Sequence, residues 1–80
     1  MITLKQSTYG SKEVCRIVGI SNRQLEYWVL IGVVTPLSEP HGIKMFRRFT
    51  QEDVDILLRV KMLTDEGVLV SRAAAKVRQE

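Results

Sequence analysis

The stretch Gly19-Ile20-Ser21-Asn22-Arg23-Gln24-Leu25-Glu26-Tyr27-Trp28 holds the signal from which the fold follows. Ser21 and Gln24 form S-x-x-Q, in which the serine oxygen takes the amide three residues on and the glutamine side chain reaches back to the serine amide. Ile20 and Leu25 occupy the two positions of a hydrophobic staple across that start. A helix is therefore predicted from Asn22 to about Leu30, with Leu25, Trp28 and Val29 facing inward and Gly32 where a helix stop belongs. Upstream, Ser11 is the expected cap of a first helix running to about Val18, with Val14, Cys15 and Val18 on its apolar side, and Gly19 breaks it. Cys15, Gly19 and Leu25 have the spacing of two helices meeting at a tight corner: a small residue, a turn glycine and an apolar residue that closes the angle.

Working outward, Val33 and Val34 favour extended backbone and are cut off by Pro36. Residues 35–44 hold both prolines and Gly42, and read as a loop or hairpin tip. Met45 to Phe49 is a strand candidate, so 33–35 and 45–49 are expected to pair as a short ribbon. Thr50 and Asp53 (T-x-x-D) open a third helix over 51–66, with Phe49 and Val54 repeating the staple. Glu52, Asp53 and Asp55 lie at the end of that helix where its dipole favours acid. Its apolar residues form two stripes, Val54/Leu57/Leu58/Met62 and Ile56/Val60/Leu63. A helix apolar on two sides is sandwiched, either inside one domain or against a partner protein. Gly67 ends it, and a last helix over roughly 70–79 turns Val70, Ala73, Ala74 and Val77 inward. The expected fold is mainly α, a winged helix-turn-helix of four helices plus a short two-stranded wing. It forms a single domain over 1–80, with 1–8 as a flexible arm.

Eighty residues bound the chain to one domain with a small core. No apolar run reaches membrane-span length, and the first residues lack a secretory pattern. The single cysteine, Cys15, has no internal disulfide partner and fits a reducing compartment, so a cytoplasmic, nucleoid-associated protein without membrane contact is expected. Net charge is +3 but uneven: +4 over residues 1–49, −3 over 50–66 and +2 over the remainder. Such segregation orients a protein on a polyanion.

In a helix-turn-helix the second helix enters the major groove with its N-terminal residues towards base edges. Ser21, Asn22, Arg23 and Gln24 stand there, and arginine is the commonest reader of guanine. Lys44, Arg47 and Arg48 lie within five residues that contain no acid, on the ribbon, where cations reach phosphates beside the groove. Taken singly, each piece also has a plain structural origin. Glycine-linked helix pairs are common in small helical proteins, and basic residues keep an exposed hairpin soluble. With one cysteine and one histidine, His41, no metal-ligand cluster is expected. No nucleophile–base pair, carboxylate pair or phosphate loop is present either, so neither catalytic residues nor a cofactor is expected and the chain is not read as an enzyme.

In combination, these segments resemble the winged-helix DNA-binding domain of the MerR family. The resemblance runs from Tyr9 to about Val77. It includes the Gly19–Trp28 segment, Gly32-Val33-Val34-Thr35-Pro36 for G-L-x-x-P, Phe46-Arg47-Arg48-Phe49-Thr50 at the wing's end, and the rhythm Val54, Leu57, Val60, Leu63 closed by Gly67. It implies sequence-specific double-stranded DNA binding by a transcriptional regulator. On that resemblance Arg23 and Tyr27 are expected to contact DNA from the second helix and Arg47 from the wing, with Ser21 and Asn22 as weaker candidates. The residues read on their own add Gln24 to recognition, and Lys12, Lys44 and Arg48 join Arg47 in anchoring the backbone. Trp28, Phe46 and Phe49 match positions that mainly pack.

Three departures stand out. Glu26 occupies a position that is usually arginine, where a carboxylate weakens the contact or pairs with a neighbouring arginine. Gly42 sits three residues early in the wing. Leu69 replaces a common capping serine, leaving Ser71 to cap a shortened last helix. Members of the family usually continue into a long dimerising helix and an effector domain. Ending at Glu80, the chain reads either as a cut-out domain or as a small regulator that pairs otherwise, a homodimer being one expectation. Two further readings use the same fold: a protein-interaction module presenting its third helix, and an excisionase-like or DNA-packaging accessory factor.

Overall fold

The computed structural model describes residues 8–79, in the order β1 (Thr8–Tyr9), α1 (Ser11–Val18), α2 (Asn22–Leu30), β2 (Leu37–His41), β3 (Lys44–Thr50), α3 (Gln51–Asp65) and α4 (Val70–Arg78). It is a winged helix-turn-helix, mainly α, as the sequence implies. The expectation of a flexible arm lies, over 1–7, outside the described residues; Thr8 itself is paired in β1.

The capping chemistry sets the helix starts. Ser21 Oγ accepts from the Gln24 amide and Gln24 Oε1 accepts from the Ser21 amide, each at 3.1 Å. Thr50 and Asp53 repeat the exchange at the head of α3, at 3.1 and 3.0 Å. The first helix begins differently from expectation. Gly10, not Ser11, is its N-cap, and Glu13 Oε1 accepts from the Gly10 amide at 3.1 Å. At α4 the cap is Leu69, with no side-chain bond, so Ser71 does not take that role. The corner between α1 and α2 turns on Gly19, whose φ of 84° is left-handed backbone that other L-residues adopt only at a cost.

The wing differs most from the sequence reading. Val33 and Val34 are buried core residues outside any strand, because their preference for strands is largely a preference for burial. The hairpin instead pairs β2 with β3, in the register from Leu37↔Arg48 to His41↔Lys44, around a two-residue loop of Gly42 and Ile43. A positive φ (66°) at the first loop residue, Gly42, suits a type II′ turn. Bonded pairs alternate from that turn, so Pro40, opposite Met45, occupies a non-bonded position on an edge strand, where a missing N–H costs no ladder bond. Tyr9 pairs with Phe49, adding β1 on the far side of β3 to give the order β1-β3-β2.

One core joins these elements. Val14 and Val18 of α1, Leu25 and Trp28 of α2, Phe49 of β3, and Val54, Leu57 and Val60 of α3 are buried together, with Ala73, Ala74 and Val77 of α4 on the other side of α3. Both stripes of α3 are thus used inside the domain, against α1 and β3 on one side and α4 on the other. Met62 is the exception, 63% exposed rather than in its stripe. The last turn of α4 also reaches the exit of α2, where Arg78 Nη2 donates to the Gly32 carbonyl.

Candidate nucleic-acid interface

Trp28 and Leu25 hold α2 against the core, which turns Arg23, Glu26, Tyr27 and Leu30 outward on a helix of 3.6 residues per turn. Asn22 and Glu26, four residues apart, share the side of α2 that meets the wing. There an open cleft of about 430 Å³ is lined by Gly10, Ser11 and Lys12 from the start of α1, Asn22 and Glu26 from α2, and Phe46, Arg47 and Arg48 from β3. Four predicted site residues, Lys12, Asn22, Arg47 and Arg48, are therefore brought to one place from three separate elements.

The two arginines of the cleft are held differently. Arg47 Nη1 donates to Glu26 Oε2 at 2.5 Å, tying the wing to α2. Of the two outcomes expected for a carboxylate at position 26, pairing with a neighbouring arginine is the one observed. Arg48 alternates away from it along β3, and its guanidinium turns to β1. Its Nε and Nη2 donate to Thr8 Oγ1 at 3.0 and 2.8 Å, and Nη2 also reaches the Thr8 carbonyl at 3.5 Å.

Other predicted residues lie near the cleft without lining it. Arg23 is exposed and stands three positions before Glu26, its neighbour along the helix surface. Tyr27 is 53% exposed on the same outward side. Ser21 and Gln24 are exposed but engaged with each other in the cap. Lys44 is exposed at the wing's tip, beside the loop.

Two features were missed as site residues. Glu26 stood out only as a departure from a pattern, yet it makes the central ion pair. Phe46, expected to pack as core, is 47% exposed and lines the cleft, because strand alternation sends it to the opposite side from the buried Phe49. Cys15 is partly buried against the core. Desolvation, and then the negative charge of Glu26, push its thiol above the ordinary value.

Residues 9–80 match the family described as MerR HTH family regulatory protein. The chain belongs to the MerR HTH family. Among curated relatives, it is 34% identical over 77 residues to the HTH-type transcriptional repressor CarH of Myxococcus xanthus, covering 95% of this chain and 25% of that protein. It is also 34% identical over 61 residues to an uncharacterized HTH-type transcriptional regulator of Mycobacterium tuberculosis, covering 75% of this chain and 27% of that protein. The chain thus spans about a quarter of the length of these relatives. Among the described residues, no helix is long and apolar enough to cross a membrane.

Proposed function

We propose that this domain binds double-stranded DNA sequence-specifically as the reading head of a transcriptional regulator in the cytoplasm, without catalysis. The first turns of α2 enter the major groove and the wing lies on the phosphate backbone. The observation that carries this reading is the convergence of Lys12, Asn22, Arg47 and Arg48 on one open cleft beside the outward face of α2. A phosphate backbone passing along that side meets cations from the start of α1 and from β3 while Arg23 and Tyr27 point into the groove. Lys44 extends the cationic track towards the wing's tip. Asn22 and Arg23 are the base readers. Ser21 and Gln24 support them through the cap, with the Gln24 amide nitrogen as a further donor. Residues 1–80 act as one domain, and two copies read half-sites about 34 Å apart.

Binding-site selection from random DNA tests this reading directly. A palindromic site is expected, with Arg23→Ala relaxing one base position by about 1–3 kcal/mol. If the chain fails to bind random duplex even at low salt, the reading falls and a protein partner is the better assignment.

A further inference from the structure

The cleft holds one carboxylate, Glu26, among three cationic side chains, Lys12, Arg47 and Arg48. The Arg47–Glu26 bond joins the two elements that duplex DNA has to engage together. Its side chains are 38% and 47% exposed, so the pair is an exchangeable surface contact rather than a buried strut. Glu26 also stands on the outward face of α2, one turn beyond Arg23, within reach of whatever that face approaches.

DNA and Glu26 compete for the same guanidinium. A phosphate offers only acceptors, and so does an ionised carboxylate. When Arg47 turns to the backbone, Glu26 loses its donor and is left close to another anion. In the major groove the donors that replace it are the amino groups of cytosine and adenine. Adenine sets the N7 acceptor beside its amino group, which repels a carboxylate, whereas cytosine presents its amino group alone. On an arbitrary sequence no base donor replaces that bond, Glu26 has only the neighbouring Lys12 and Arg23 to turn to, and Arg47 stays paired. Where a cytosine faces Glu26, the carboxylate finds a new donor and Arg47 is released.

We propose that Glu26 is a specificity-determining residue, which withholds Arg47 from non-cognate phosphates and yields it where a cytosine amino group in the major groove takes the arginine's place. This rests on the DNA-binding reading above.

The test uses the 80-residue chain and its Glu26→Gln, Glu26→Ala, Arg47→Ala and Glu26→Gln/Arg47→Ala variants. Each is titrated with random-sequence duplex and with the selected site over a range of salt, after thermal melting establishes that it is folded. Glu26→Gln is expected to bind random duplex roughly two- to fivefold tighter, the range for exchanging an exposed ion pair. Its salt slope is expected to steepen by about one, for one more phosphate neutralised. In the Arg47→Ala background the same change gives a smaller gain. Selection with Glu26→Ala loses a cytosine preference that the unsubstituted chain shows at one position. Random-duplex affinity unchanged by Glu26→Gln, or no cytosine preference that depends on residue 26, overturns the inference. If Arg23→Ala and Arg47→Ala still weaken binding in that case, the DNA-binding reading survives; if they too have no effect, both fall.

Discussion

Arg47 and Arg48 are adjacent in sequence and alike in charge, yet the structure assigns them opposite consequences when either is cut to alanine. Arg48 donates two well-placed bonds to one hydroxyl, Thr8 Oγ1, at 3.0 and 2.8 Å in a partly buried setting, plus a marginal one to the Thr8 carbonyl at 3.5 Å. A net hydrogen bond is worth about 0.5–1.5 kcal/mol, and two donors sharing one acceptor count for less than twice that, so Arg48→Ala should cost about 1–2 kcal/mol. For a domain of this size each kcal/mol lowers the melting temperature by roughly 4–8 °C, giving a loss of about 5–15 °C. Arg47 loses only an exposed pair with Glu26, worth about 0–1 kcal/mol, so on the same scale its melting temperature should fall by roughly 0–8 °C, centred below the loss for Arg48→Ala. The assay is thermal unfolding followed by the fluorescence of the buried Trp28, with Thr8→Val as a companion that removes the same acceptor from the other side. Titration with the selected site against salt should show the reverse order, Arg47→Ala flattening the slope by about one and Arg48→Ala changing it less. Equal melting losses for the two arginines, or a Thr8→Val variant as stable as the parent chain, would refute this division of roles.

Two more outcomes follow from local geometry. At Gly19 an added Cβ meets nothing within 4 Å, so the cost of Gly19→Ala comes from the backbone alone. Left-handed geometry costs an L-residue about 1–2 kcal/mol, partly offset by about 0.4–1 kcal/mol from a stiffer unfolded chain, so urea unfolding should show a loss of about 0.5–1.5 kcal/mol and a smaller one for Gly19→Asn. The Cys15 thiol, raised by burial and then by Glu26, should react with an alkylating agent more slowly than a free cysteine at neutral pH, and faster after Glu26→Gln. Folding favours its protonated form, so the associated stability is complete below the ordinary thiol range and is lost as pH rises through the elevated folded value.

Helices were legible wherever a cap had a chemical signature. The Ser21/Gln24 and Thr50/Asp53 exchanges place α2 and α3 as expected, and α4 also falls within its expected 70–79, but the N-caps of α1 and α4 are Gly10 and Leu69, which make no side-chain cap bond that could reveal them. The wing was legible as a hairpin but not in register. Val33 and Val34 carry the composition of a strand while serving as core, and Pro40 sits inside a strand because β2 is an edge. A two-residue strand such as Thr8–Tyr9 is too short to show any period. For the interface, the cationic residues could be named from sequence, but their bonding could not. Nothing along the chain distinguishes Arg47, facing an acid 21 positions away, from Arg48, facing a threonine 40 positions away.

Pro40 has an effect beyond the wing itself. At a non-bonded position of β2, its nitrogen faces the open margin of the sheet, where another residue would expose a donor. A second extended chain seeking to add on there would find that rung empty, and stacking of hairpins from separate molecules is discouraged. Edge-to-edge self-association of the ribbon that the proposed function needs accessible is thereby disfavoured, by the absence of a single donor.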